Sequence, residues 1–208
     1  MIFPHFLKEK KLRRQGYKLI AGLDEAGKGA WAGPIVAAAV ILDPKIKIKG
    51  IKDSKLLRAP ERQKLFEEII SQAVGWAIGA VSQQKIDESG IVAANIMAMQ
   101  QALKKLLPAP DYLLVDAIKI NYQNLPALSI IDGDYKIRSI AAASIVAKVT
   151  RDRLMDELDE KYPQYGFKQH KGYGTNHHFQ MIAKYGAADI HRQTFEPVKH
   201  FLNDWFGV

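Results

Sequence analysis

The longest apolar run of the chain, AWAGPIVAAAVIL from Ala30 to Leu42, is interrupted by Gly33 and Pro34 and is too short to cross a bilayer. After Pro34, apolar side chains occupy both alternating positions. A strand of that kind is buried on both faces, so it must lie inside a sheet that other elements cover on each side. The preceding segment KLIAGLD, Lys18 to Asp24, reads as a second strand. Between the two lies a glycine loop.

Beyond this pair the pattern changes. APERQKLFEEIISQ has Pro60 in a first-turn position and helical spacing at Leu65, Ile69 and Ile70. VGWAIGAVS, Val74 to Ser82, alternates like a third strand, and IVAANIMAMQQALKKLL reads as a helix stopped by Pro108. DYLLVDA is a short buried strand ending in Asp116, and ALSIIDGDY is another that ends near Asp132 and Asp134. SIAAASIVAKVTRDRLMDELDEKY is a long helix, and after Pro163 the chain turns to loops and helices. Adjacent strands followed by alternating strands and helices predict a mixed α/β sheet with a helical C-terminal part. The expected organisation is a single domain, with a catalytic core over about residues 17–160 and a C-terminal part over about 161–208.

The loop GLDEAGKGAWAGP, Gly22 to Pro34, nearly matches a phosphate-binding loop through Gly22, Gly27 and Lys28. Gly29 stands where that loop needs Ser or Thr for magnesium, and Asp24 and Glu25 would repel a nucleotide phosphate. Both features count against an NTPase. Three acidic sites share one position type, because Asp24 with Glu25, Asp116, and Asp132 or Asp134 each follow an apolar strand. Functional groups gather beyond strand ends in α/β sheets. Carboxylates brought together there repel unless protonated or neutralised by a hard cation, with magnesium or manganese the natural choice. Turn-forming acids without a common site are the bland alternative. Gly27 and Gly29 let backbone amides approach a ligand closely, and Lys28 adds a cation. Acids for metal beside amides for phosphate suit a substrate whose phosphate is attacked with metal help.

Composition narrows the chemistry further. The absence of cysteine excludes disulfides, thiolate zinc sites and cysteine nucleophiles. The N-terminal MIFPHFLKEKKLRR lacks the apolar core of a secretion signal, so a soluble cytoplasmic protein is expected. A net charge of +8 attracts polyanions, nucleic acid foremost. Lysines cluster in KEKKLRR, PKIKIKGIKDSK and KQHKGYG; the plain reading of each cluster alone is a solvated face.

AGLDEAGKGAWAGPIVAAAVIL, DSKLL, GDYKIRSIAAASIVAKVTRD and FKQHKGYGTNHH followed by HRQTF resemble ribonuclease HII, in order, from about Tyr17 to Pro197. The resemblance implies an RNase H-like fold. It implies cutting of the RNA strand in RNA/DNA hybrids and incision at ribonucleotides embedded in duplex DNA. It carries four metal-binding acids onto Asp24, Glu25, Asp116 and Asp134, and leaves Asp132 to the turn and Asp152 to a helix face. The implied mechanism is two-metal hydrolysis with Mg²⁺ or Mn²⁺, giving 3′-hydroxyl and 5′-phosphate ends. Gly27, Lys28 and Gly29 match the loop that reads the 2′-hydroxyl, and Tyr173 matches the tyrosine that packs on the sugar beside the cut. Lys55 and Lys148 are expected phosphate contacts.

Lys28 departs from the family's usual arginine and matches the sister type, ribonuclease HIII. It keeps the charge but loses the bidentate fork, which suggests weaker cutting at single embedded ribonucleotides than at RNA stretches. A non-catalytic nucleic-acid-binding domain is the remaining alternative. His170, His177 and His178 do not have zinc-ligand spacing and are expected at a helix start or facing phosphate. In the tail KHFLNDWF, Lys199, Leu202, Trp205 and Phe206 have the spacing of a sliding-clamp peptide, with Lys199 where glutamine is usual. A closing amphipathic helix packed on the domain is the simpler reading.

Overall fold

The structure, a computed structural model, describes residues 4–205, with side chains described as far as residue 201. Leu202, Trp205 and Phe206 of the clamp-like tail therefore lie outside the described side chains. A short helix α1 (Leu7–Arg14) leads into β1 (Ile20–Ala26) and β2 (Ile35–Ile41). Helix α2 (Ala59–Gln72), β3 (Gly75–Val81), α3 (Gln83–Ser89) and α4 (Ile91–Lys105) follow. Then come β4 (Tyr112–Asp116), β5 (Ala127–Ile130), the one-turn helix α5 (Gly133–Lys136) and the long α6 (Arg138–Lys161). The C-terminal part holds α7 (Phe167–His170), α8 (Asn176–Tyr185) and α9 (Val198–Trp205).

The doubly apolar β2 does what its sequence requires. Ile35, Ala37, Ala39 and Ile41 face α4, where Ala94, Ala98 and Met99 meet them. Val36, Ala38 and Val40 point the other way; Ala38 and Val40 pack with Ile145 and Val146 of α6 and with Leu65, Phe66 and Ile69 of α2. Every β2 side chain is buried. Among the described residues the sheet has five strands in the order β3-β2-β1-β4-β5. The β1–β2 and β2–β3 pairs are antiparallel, while β1–β4 and β4–β5 are parallel. The mixed α/β sheet flanked by helices is as expected.

Helix α6 lies very close to β1. A Cβ on Gly22 would sit 2.2 Å from the backbone carbon of Ser139. No described helix is long and apolar enough to cross a membrane.

Some elements differ from the sequence reading. Strand β1 continues through Ala26, so Asp24 and Glu25 lie within the strand instead of following it. Strand β5 stops at Ile130, and Asp134 sits in α5, not at a strand end. Asp132 occupies the turn between them in the left-handed region, φ 54° and ψ 46°. Helices α1 and α3 were not expected. α1 docks through the buried Glu9, whose Oε1 accepts from Ser139 N–H at 3.1 Å and Ser139 O–H at 2.9 Å.

Candidate active site

Strands β1 and β4 run parallel with Leu23 opposite Val115, so their next residues, Asp24 and Asp116, emerge side by side. The Asp116 carboxylate reaches on to the next element, where Oδ1 accepts the Gly133 N–H at 2.7 Å. That contact sets the start of α5 and with it Asp134. A Cβ on Gly133 would come within 3.1 Å of the same oxygen. Glu25 is the next residue along β1, and its charge acts on Asp24.

The four acids feel one another. Burial, then the charges of Glu25 and Asp116, hold the Asp24 carboxyl well above the usual carboxylate range. Burial also raises Glu25, opposed by the neighbouring Asn95 amide and the Lys28 ammonium. Asp116 is raised by burial against the pull of the Gly133 N–H and Lys55. Asp134 is pushed up to about 6 by burial and by the charges of Asp53 and Asp116. Crowded oxygen donors whose ionised forms are disfavoured need a cation.

Asp24 and Glu25 form one wall of a cleft of about 250 Å³ that also takes in Lys28, Lys55, Lys148 and Tyr173. Exposed Lys28 places its ammonium 3.9 Å from Glu25 Oε1. Lys55 has its pKa raised, burial being outweighed by the charges of Asp53, Asp134, Asp24 and Asp116. Lys148 contacts Asp152 and lies 5.4 Å from the centre of the Tyr173 ring. A wider groove of about 700 Å³ shares Lys148 and Tyr173 and continues past Arg62, Lys168 and Lys171. Asp152 lies on the face of α6, as expected, and there it also pairs with Arg62 at 3.3 Å.

Three loops are woven together behind the cleft. Trp31 N–H donates to Gly172 C=O at 2.8 Å, Gly33 N–H to Ile190 C=O at 2.9 Å, and Arg192 N–H to Trp31 C=O at 2.7 Å. Sequence reasoning missed the two side chains that lock this weave. Arg192, fully buried, donates to Lys28 C=O at 3.0 Å and to Gly33 C=O at 3.0 and 3.1 Å. Arg151, also fully buried, donates to the carbonyls of Pro34, Lys171 and Ala32. Burial, then the Arg151 charge, lowers the Arg192 pKa. Only the position of these arginines inside the HRQTF and VTRD blocks could have drawn attention to them. Asp53 was missed as well: its Oδ1 accepts the Lys55 N–H at 2.9 Å.

The histidines meet the helix-start half of the sequence reading, since His177 and His178 both lie in the first turn of α8. His178 is in the first turn of α8 but is buried and faces inward, with Nε2 3.1 Å from His191 Nε2. His170 turns back onto its own loop, with Nε2 2.9 Å from Tyr165 C=O and Nδ1 accepting the Gly172 N–H. His170 also lines the wider groove.

The carboxylates fit a hard divalent cation in donor type and charge, and Asp53 Oδ2 is buried nearby with no hydrogen-bond donor on it. Among the described residues no three His, Asp or Glu side chains are grouped closely enough to hold a metal ion by themselves. Magnesium commonly uses one or two carboxylates and completes its shell with water and substrate phosphate.

A mixed sheet of this order, with Asp24 and Asp116 side by side on the parallel β1 and β4 and a glycine loop leading from β1 to β2, belongs, taken with the sequence match, to a ribonuclease H hydrolase. The chain belongs to the ribonuclease HII family, whose model matches residues 21–198. It is 52% identical over 194 residues to the ribonuclease HII of Acetivibrio thermocellus, covering 93% of this chain and 75% of that one. To the ribonuclease HII of Dehalococcoides mccartyi it is 48% identical over 206 residues, 98% of this chain and 97% of the other. Among solved structures, the ribonuclease H2 of Pyrococcus horikoshii OT3 superposes with a TM-score of 0.74 at 27% identity, covering 92% of this chain and all of that one. The fold is shared with Bst-RNase HIII crystallised with Mn²⁺, at TM-score 0.66 and 19% identity, over 89% of this chain and 70% of that one.

Proposed function

We propose that this ribonuclease H cuts the RNA strand of RNA/DNA hybrids and incises duplex DNA at embedded ribonucleotides, leaving 3′-hydroxyl and 5′-phosphate ends. The observation that carries the reading is one cleft in which Asp24 and Glu25 of β1 meet a glycine loop and an aromatic ring, while the charges of Asp116 of β4 and Asp134 of α5 are near enough to raise Asp24. Asp24, Glu25, Asp116 and Asp134 are the residues that would hold divalent ions, and the Mn²⁺ in the HIII structure supports a divalent requirement. Bound there, a pair of such ions supplies activation of water and neutralisation of charge at the departing 3′ oxygen.

The protein's own groups do the rest. Gly27, Lys28 and Gly29 present backbone to the 2′-hydroxyl, which separates RNA from DNA. The Lys28 carbonyl is fixed for this by Arg192. Tyr173 packs on the sugar beside the cut, and the Lys148 and Arg151 cations lie against its ring at 5.4 and 5.1 Å. Lys55 and Lys148 meet phosphates, and the groove beyond Tyr173, floored in part by the C-terminal loop, carries the duplex onward.

A second reading concerns selectivity. Lys28 puts a point charge near Glu25 where an arginine would offer a planar fork. That favours a ribonuclease HIII-like preference for RNA stretches over single ribonucleotides. Metal-dependent digestion of duplexes with one or four ribonucleotides, ends mapped, decides between the two. Equal junction-specific incision of both removes the HIII-like reading; no incision of either removes the nuclease proposal.

Asp116→Asn tests the site directly. It keeps a hydrogen-bond acceptor for Gly133 but removes one metal-binding charge. Cleavage should fall by about a thousandfold, the scale of several kcal/mol of transition-state stabilisation, with hybrid binding spared. Retained cleavage would mean that the site lies elsewhere.

A further inference from the structure

Beneath the Tyr173 loop lies a run of buried polar groups that substrate contact does not explain. His178 and His191 are both fully buried, and each is a neutral ring at ordinary pH, because burial pushes His178 down to about 3 and His191 to about 4. A neutral imidazole has one N–H and one acceptor nitrogen. The Tyr173 carbonyl, 3.0 Å from His178 Nδ1, can only accept, so that nitrogen carries the proton. His178 Nε2 must then accept from His191 Nε2, 3.1 Å away. His191 Nδ1 is left as an acceptor and receives the Ala188 N–H at 3.0 Å. The Ala188 carbonyl, 3.2 Å from the same ring nitrogen, already accepts the His191 N–H at 2.9 Å. Every donor in the chain has an acceptor, and only one pair of tautomers achieves this.

The rings cannot slide within this chain. His170 stacks on His178 at 4.4 Å, and Trp31 and Phe167 close around it at 5.3 and 5.5 Å. Arg192, the neighbour of His191, holds the Lys28 carbonyl on the opposite wall of the cleft. The turn at 188–192 therefore fixes both sides of the gap into which a ribose would fit, the glycine loop through Arg192 and the tyrosine loop through the histidines.

We propose that His191 and His178 are positioning residues that hold the Tyr173 backbone by a fixed relay of hydrogen bonds, and that this sets the choice of cleavage position. The proposal rests on the sugar-packing role given to Tyr173 above. It concerns where the chain is cut, not whether the phosphodiester is hydrolysed.

Two measurements test it. In ¹⁵N-resolved spectra of the whole protein at neutral pH, His178 should appear as the Nδ1–H tautomer and His191 as Nε2–H. His178 carrying its proton on Nε2 overturns the relay, whatever the enzyme does. The second measurement maps cuts in a duplex holding four ribonucleotides. His178→Phe keeps a ring in the pocket but removes the donor. It should lower the preference for the RNA-to-DNA junction about tenfold, the worth of one hydrogen bond, while total hybrid cleavage stays near wild type. His178→Asn places an amide N–H where Nδ1 was and should restore the pattern. His191→Phe, which leaves His178 in place, covers a His178→Phe protein whose thermal melt shows misfolding. An unchanged cut distribution in the folded variants overturns the positioning role. A wild-type protein that cuts no hybrid fails the nuclease reading instead, and the spectra still decide the relay.

Discussion

Gly27 and Gly29 look equivalent in the sequence, but their surroundings separate them. Gly27 has φ 93°, and a Cβ there would lie 1.9 Å from Arg151 Nε, so the fold itself demands glycine. Gly29 has open space around its absent Cβ, so packing does not demand it. A ligand approaching the backbone closely would. Gly29→Ala should therefore leave the melting temperature within about 1 °C of wild type while lowering cleavage at a single ribonucleotide at least about tenfold. Gly27→Ala should lower both. Melting curves and single-turnover cleavage separate the two, and an unimpaired, stable Gly29→Ala enzyme would remove Gly29 from the reading surface. The buried histidines give a second expectation at this scale. A base whose folded pKa lies below its unfolded value stabilises the fold above that unfolded value and loses the contribution as pH falls. For His178 and His191 the window runs from about 6.5 down to about 3 and about 4. Each histidine then costs up to ~1.4 kcal/mol per pH unit below 6.5. The raised carboxylates act in the opposite sense, so the histidine contribution is read as a difference: between pH 7 and 5 the denaturant midpoint of wild type should fall further, or rise less, than that of His178→Phe.

At the level of elements, the tight seat of α6 on β1 governs whether the acids line up. Gly22→Ala would drive a methyl into the Ser139 backbone, which cannot move without shifting the whole helix. We expect about 3 kcal/mol or more of destabilisation, or roughly 10 °C in melting temperature, read by calorimetry. Near-normal stability would show that the helix can retreat. The same elements explain what was legible beforehand. The unbroken apolar run of β2 and the apolar spacing of the helices α2, α4 and α6 were readable in advance. Asp116 could be placed because a buried strand visibly ends there. Asp134 was singled out but seated at a strand end, where the structure has it in a helix. A left-handed Asp132 ends the strand direction early, and the one-turn α5 is too short to leave a periodic signature. The inward turn of His178 was hidden because its partner lies 13 residues away across a loop. Arg151 and Arg192 were hidden for a related reason: buried arginines usually seek carboxylates, and these are satisfied by backbone carbonyls.

For the molecule as a whole, a net charge of +8 has to draw a polyanion toward a cleft that is itself crowded with carboxylates. The attraction must therefore come from the flanks, and the groove beyond Tyr173 supplies it through Lys148, Lys168 and Lys171. Hybrid affinity should fall steeply with salt, with a log–log slope of about −0.9 for each phosphate neutralised. Lys148→Ala and Lys168→Ala should each flatten that slope by about one unit. Lys104→Ala removes the same charge from α4, on the other face of the sheet from α6, and changes net charge equally. If local contacts govern binding, Lys104→Ala leaves the slope alone; if overall charge governs it, all three variants weaken binding alike. Titrating Asp116→Asn protein with a labelled hybrid in magnesium avoids cleavage during the measurement. A slope that responds to Lys104 but not to Lys168 would move the duplex off the groove and onto the other face of the sheet.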